Sequence, residues 1–162
     1  MRLFIEGNIL GIATGMVIAL FRYLLELSEE YLPVLYRWLP EHIAWIPVWF
    51  LLLAICGWVL YRIVRRDGMT SGSGIPQIKG ILLGEMDMNW ARVLILKFTG
   101  AVLGIGAGMS LGREGPSVQL GACLGQGLGR LTRLSYAERQ YLQTAGAGAG
   151  LAAAINPPGG GV

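Results

Sequence analysis

Four apolar runs dominate the chain, at residues 4–27, 43–63, 93–111 and 118–134. Each is long enough, at about 17 residues or more, to carry an α-helix across the hydrocarbon of a bilayer. The stretches 29–41, 85–92 and 130–139 are polar and read as connections, the first containing proline and three acidic residues. A last stretch, 141–155, is rich in alanine and glycine. The pattern predicts an all-α, multi-pass membrane protein with one membrane domain over 1–162. Inside the runs glycine recurs at every fourth position: Gly7, Gly11 and Gly15; Gly100, Gly104, Gly108 and Gly112; Gly121, Gly125 and Gly129. Such stripes let helix backbones approach closely in lipid, so all three predict tight helix–helix packing.

Two breaks interrupt this pattern. One reads Gly72-Ser73-Gly74-Ile75-Pro76 and precedes an apolar stretch, 75–83, that is too short to span and suits a re-entrant half-helix. The other, Gly112-Arg113-Glu114-Gly115-Pro116, follows the third run directly. Irregular backbone at membrane depth survives only where protein or a water-filled cavity satisfies its polar groups. Helix N-termini facing such a cavity favour an anion, because their amides lack intrahelical partners and the helix dipole is positive there. Pro116 suits a first helical turn, and Gly112 and Gly115 are expected to adopt conformations that other residues resist. The breaks therefore point to an anion pathway made of broken helices.

Composition agrees with the membrane reading. Only 14% of the 162 residues are charged and 54% are hydrophobic, with a mean hydropathy of +0.55. Soluble domains carry about 25% charged residues. The net charge of +3 does not indicate a nucleic-acid partner, since the basic residues sit at the ends of apolar runs. Trp45, Trp49, Trp58 and Tyr61 read as interface anchors, and Arg62, Arg65 and Arg66 place the end of the second run, and with it the N-terminus, in the cytoplasm. Cys56 and Cys123 read as buried hydrophobes, the single His42 as interfacial, and neither as metal ligands. No cleavable signal follows the first run. The expected location is a cell membrane, with the lipid bilayer as partner.

The chemistry of the breaks is open at this level. A carboxylate at membrane depth costs roughly 2.5–3.5 kcal/mol or more, which makes Glu114 either a gate that occupies an anion site when ionised, or half of an Arg113–Glu114 surface pair. Ser73 either donates a hydroxyl hydrogen bond to a halide or merely caps a helix. Lys97 either lends positive potential to the pathway or neutralises a carboxylate such as Glu114 or Glu6. Two further classes stand beside transport: an intramembrane serine protease built on Ser71 or Ser73, which needs a base within reach, and a non-transporting scaffold packed on its glycine stripes.

The two breaks together resemble the selectivity motifs of the CLC chloride channels and chloride/proton antiporters. The first extends through Gln77-Ile78-Lys79-Gly80 and the second through Ser117-Val118-Gln119-Leu120-Gly121. Lys97-Phe98 and the stretch 145–156 are similar to the family too. The resemblance implies the first half of an inverted repeat that transports chloride, with protons as a further transported species in the antiporters, as a homodimer, with no enzymatic activity, metal or organic cofactor. It implies chloride coordination by Ser73, Gly74, Ile75, Gly115 and Pro116, gating by Glu114, and supporting roles for Gly72, Pro76, Gly112, Arg113 and Lys97. Asn156-Pro157-Pro158-Gly159-Gly160 departs from the family, which reads close to Asn-Ala-Pro-Leu-Ala-Gly there. The chain is accordingly expected to be a truncated first half that cannot by itself close a conducting pore, and channel and exchanger are not distinguished.

Overall fold

The computed structural model describes residues 2–155, so the expectation about Asn156–Gly160 lies outside the described residues. Six α-helices follow one another: α1 (Arg2–Trp38), α2 (Ile46–Arg66), α3 (Ile75–Leu82), α4 (Trp90–Gly106), α5 (Glu114–Leu131) and α6 (Tyr136–Ile155). Short 3-10 turns at Leu39–Glu41, Ile43–Trp45 and Gly68–Thr70 link the first three. There is no strand among the described residues.

Local chemistry sets the ends. The Asp67 carboxylate accepts from the Met69 amide (3.1 Å) and shapes the turn after α2. Asn89 caps α4 by accepting from the Arg92 amide (3.3 Å). Ser135 and Glu138 form a reciprocal capping box at α6: the Ser135 amide donates to Glu138 Oε2 (2.9 Å) and the Glu138 amide to Ser135 Oγ (3.4 Å). The half-helix expected over 75–83 is α3, eight residues long.

Three expectations are corrected. Residues 29–41 are not a connection: α1 runs on to Trp38 with Pro33 inside it. Proline removes one helical hydrogen bond, but glutamate and leucine around it favour helix. Tyr36 also holds the extension by packing edge-on to Trp49, ring centroids 6.2 Å apart at 86°. Second, α4 stops at Gly106, so Gly108 and Gly112 leave the stripe. Gly108 instead takes a left-handed turn (φ +87°) beneath Tyr36. Third, no other part of the structure comes within 4 Å of where a side chain would begin on Gly7, Gly11 or Gly15. The stripes that do pack are Gly100 and Gly104 against Leu60 and Ile63 of α2, and Gly121 and Gly125 against the backbone of α6 at Leu142, Gly146 and Gly150.

At 37 residues, α1 is about 55 Å long at 1.5 Å per residue, well beyond a hydrocarbon core of about 30 Å. Leu10, Thr14, Ile18, Phe21 and Leu25 form its buried stripe at three- and four-residue steps, while Phe4, Ile12, Met16 and Tyr23 are exposed on the rest of its surface. α2 buries none of its residues and exposes Phe50, Leu51 and Leu52, a surface suited to lipid. α1 and α2 are the two helices long and apolar enough to cross a membrane among the described residues. α5 is the most enclosed element: Leu120, Ala122 and Cys123 are fully buried between α1, α3, α4 and α6. That burial fixes where its N-terminus points.

Candidate functional site

Each break delivers a helix N-terminus. At the first, Gly72 (φ +60°) and Gly74 (φ +85°) occupy the left-handed region that glycine tolerates, and Gly74 is the N-cap of α3. Pro76 falls at the second helical position, where its missing N–H costs no bond. At the second, Arg113 is the N-cap of α5, so Glu114, Gly115 and Pro116 form its first turn. Gly112 and Gly115 do not have positive φ, contrary to expectation. Gly115 is required by proximity instead: a Cβ there would lie 2.9 Å from Ser73 Cβ and 2.8 Å from the Ser73 carbonyl oxygen. The two breaks are thus in direct contact.

They share one cavity of about 630 Å³, lined by residues of both breaks, among them Ser73, Ile75, Glu114 and Gly115, by Lys97, and by apolar residues such as Leu60, Val64 and Ile105. Ser73 Oγ accepts weakly from the Ile75 amide (3.4 Å), which leaves the hydroxyl proton available to donate. No hydrogen bond or ion pair engages the Glu114 carboxylate among the described residues. Ser117, one turn into α5, returns its hydroxyl to the Arg113 carbonyl (2.8 Å). The cavity therefore holds amide N–H groups at two helix starts, the uncommitted hydroxyl of Ser73, one ammonium and one carboxylate, with the Thr70 hydroxyl already given to the Asp67 carbonyl (2.7 Å), a set suited to a small monovalent anion whose hold must stay weak enough for release.

The supporting residues separate. Lys97 is buried, and its ammonium pairs with neither Glu114 nor Glu6. It donates to the backbone carbonyls of Thr70 (3.1 Å) and Gly72 (2.6 Å), fastening the first break to α4. Arg113 turns away from Glu114 to Glu29 of α1 (3.2 Å), so an Arg113–Glu114 surface pair is not formed. Gly74 is buried behind the cavity against the carboxamide of Gln119. Sequence reasoning missed the roles of Gln119, which donates to the Met69 carbonyl (2.6 Å), and of Gln77, which donates to the Ser71 carbonyl (3.1 Å). Their signal was present: each is an amide side chain inside an apolar helical stretch, just after the proline of its break.

Elsewhere, Cys56 and Cys123 are free thiols: Cys123 is fully buried as expected, with its sulfur 3.7 Å from Met88 Sδ, but Cys56 is only half-buried on α2, its thiol donating to the Leu103 carbonyl (3.6 Å). His42, the single histidine, stacks on Trp38 at 4.1 Å beyond the end of α1 and offers no base to Ser73. Arg62 lies over the Trp58 ring at 4.7 Å, an interface-type pairing at the end of α2.

Comparison with known proteins extends this picture. The sequence model of the family described as voltage gated chloride channel matches residues 52–162. The H(+)/Cl(-) exchange transporter ClcA of Vibrio cholerae serotype O1 is 38% identical over 156 residues, which cover 93% of this chain and 33% of that protein. ClcA of Citrobacter koseri is 46% identical over 114 residues, covering 69% of this chain and 24% of that protein. The crystal structure of a slow cyanobacterial Cl-/H+ antiporter superposes with a TM-score of 0.90 at 34% identity, covering 99% of this chain and 38% of that one. The chain spans between 24% and 38% of the length of these relatives.

Proposed function

The chain belongs to the voltage gated chloride channel family, and on that premise we propose that it supplies the anion-binding wall of a CLC-type chloride pathway. Chloride rests in the cavity between Ser73 and Glu114. The Ser73 hydroxyl and the amide of Ile75, held only weakly by Ser73 Oγ, donate from one side and the amide of Gly115 from the other, while Gly74, buried behind the cavity, sets the turn that presents them. Pro116, with no N–H to offer, keeps the first turn of α5 in helical geometry. Glu114 is the gate: its carboxylate occupies the same space as an incoming chloride, so protonation or displacement frees the site and links anion occupancy to protons. The N-terminus and the Arg62–Arg66 end of α2 face the cytoplasm, and the protein works in a cell membrane as a homodimer. The observation that carries this reading is the single cavity shared by Ser73 and Glu114 at two abutting helix starts.

Chloride titration of the purified chain in detergent, followed by calorimetry, tests it. Saturable heat with the native chain, weaker binding in Ser73→Ala and tighter binding in Glu114→Gln are expected. A native chain that binds no chloride refutes the proposal. A liposome flux assay of the same chain is expected to show no sustained chloride conduction, since the chain covers only 33% of the length of the ClcA it resembles.

A further inference from the structure

Four successive carbonyls precede Ser73, and each is tied down by a side chain. Met69 O accepts from Gln119 Nε2 of α5 (2.6 Å), Thr70 O from Lys97 Nζ of α4 (3.1 Å), Ser71 O from Gln77 Nε2 of α3 (3.1 Å), and Gly72 O from Lys97 again (2.6 Å). The amide groups are treated differently. Those of Met69, Thr70 and Ser71 close local turns onto Asp67 and Gly68, but those of Gly72, Ser73 and Gly74 meet no acceptor among the described residues.

A peptide unit carries a donor on one edge and an acceptor on the other, and rotating its plane exchanges them. Glycine permits that rotation with least resistance, and this segment holds two glycines in the left-handed region. Free to rotate, it would turn carbonyl oxygens, the negative ends of the dipoles, toward an anion. We propose that Gln119 is a positioning residue that prevents this. It locks Met69 O away from the cavity and backs Gly74, where a Cβ would collide with its carboxamide, while Lys97 and Gln77 lock the carbonyls between them. Gln119 is fully buried and does not line the cavity, so its influence on an anion travels through the backbone. The inference rests on the chloride reading above.

Gln119→Met keeps the volume and removes the donor. In a chloride titration of the full chain in detergent, this variant is expected to need about tenfold more chloride for half-saturation, the effect of roughly one misdirected buried dipole. Gln77→Met, at a half-buried position, is expected to need two- to threefold more and decides the matter if Gln119→Met does not fold. Gln143→Met removes a comparably buried amide from α6, outside the cavity, and is expected to leave half-saturation unchanged. Native-like half-saturation in Gln119→Met, or an equal loss in Gln143→Met, overturns the inference. A native chain indifferent to chloride rejects the chloride reading and this one with it, whereas a chloride-responsive native chain with an indifferent Gln119→Met rejects this one alone.

Discussion

Gly115→Ala places one methyl group where two opposing effects can be compared. Gly115 lies in the first turn of α5 and its φ is not positive, so on backbone grounds alanine is favoured by up to about 1 kcal/mol. The new Cβ, however, would sit 2.9 Å from Ser73 Cβ, 3.0 Å from Ser73 Cα and 2.8 Å from the Ser73 carbonyl oxygen. Carbon atoms rest at about 3.5–4.0 Å, so α5 and the first break must part by roughly half an ångström to one ångström. Two of the three obstructing atoms are backbone and cannot rotate aside. Overpacking of this kind costs about 1–3 kcal/mol, which exceeds the propensity gain. Gly11→Ala is the matched control, a helical glycine of α1 with no atom beyond its own stretch of helix backbone within 4 Å of the added Cβ. Thermal unfolding in detergent at fixed chloride should find Gly115→Ala less stable than Gly11→Ala by about 1–3 kcal/mol. A chloride titration should also show weaker binding, because the donors of the two helix starts no longer converge. Equal stability of the two variants, with native-like half-saturation in Gly115→Ala, would refute the contact between the breaks.

Two further outcomes follow from the same geometry. Lys97→Met leaves the Thr70 and Gly72 carbonyls without their donor. Each unsatisfied carbonyl costs about 1–3 kcal/mol, and relief from burying the ammonium offsets part of that; a lowered unfolding temperature and weaker chloride binding are expected, and a more stable variant would contradict the fastening role. The Arg113–Glu29 pair is 40% and 49% exposed, so a double-mutant cycle of Arg113→Ala and Glu29→Ala should give a coupling of about 0–1 kcal/mol that shrinks in high salt. A coupling of several kcal/mol would place the pair in a far less polar setting.

The sequence announced the elements most strongly where punctuation and periodicity agreed. Glycine and proline bracket both breaks, and α3 and α5 start at or next to them. The buried stripe of α1 from Leu10 to Leu25 follows helical spacing. Boundaries failed where a local signal was outweighed by its surroundings: Pro33 looks like a stop, but helix-favouring neighbours and the Tyr36–Trp49 contact carry α1 past it. Partners failed for a different reason. Nothing in one chain says that Arg113 reaches Glu29, 84 positions away, or that Lys97 seeks carbonyls rather than a carboxylate.

Glycine alone is similarly mute, because one residue type serves three physical ends here. Gly121 and Gly125 admit a neighbouring backbone, Gly72 and Gly74 admit a conformation, and Gly115 admits Ser73. Gly7, Gly11 and Gly15 share the first spacing yet admit nothing within the described residues. Stripes that pack and a stripe that does not are identical as text, and the difference lies in which other helices the core of α5 draws toward them. The same holds for the site. Ser73 and Glu114 are 41 positions apart in the sequence, and what makes them neighbours is the burial of α5 between four helices, which sets Gly115 of its first turn against Ser73 and leaves the Glu114 side chain exposed beside it.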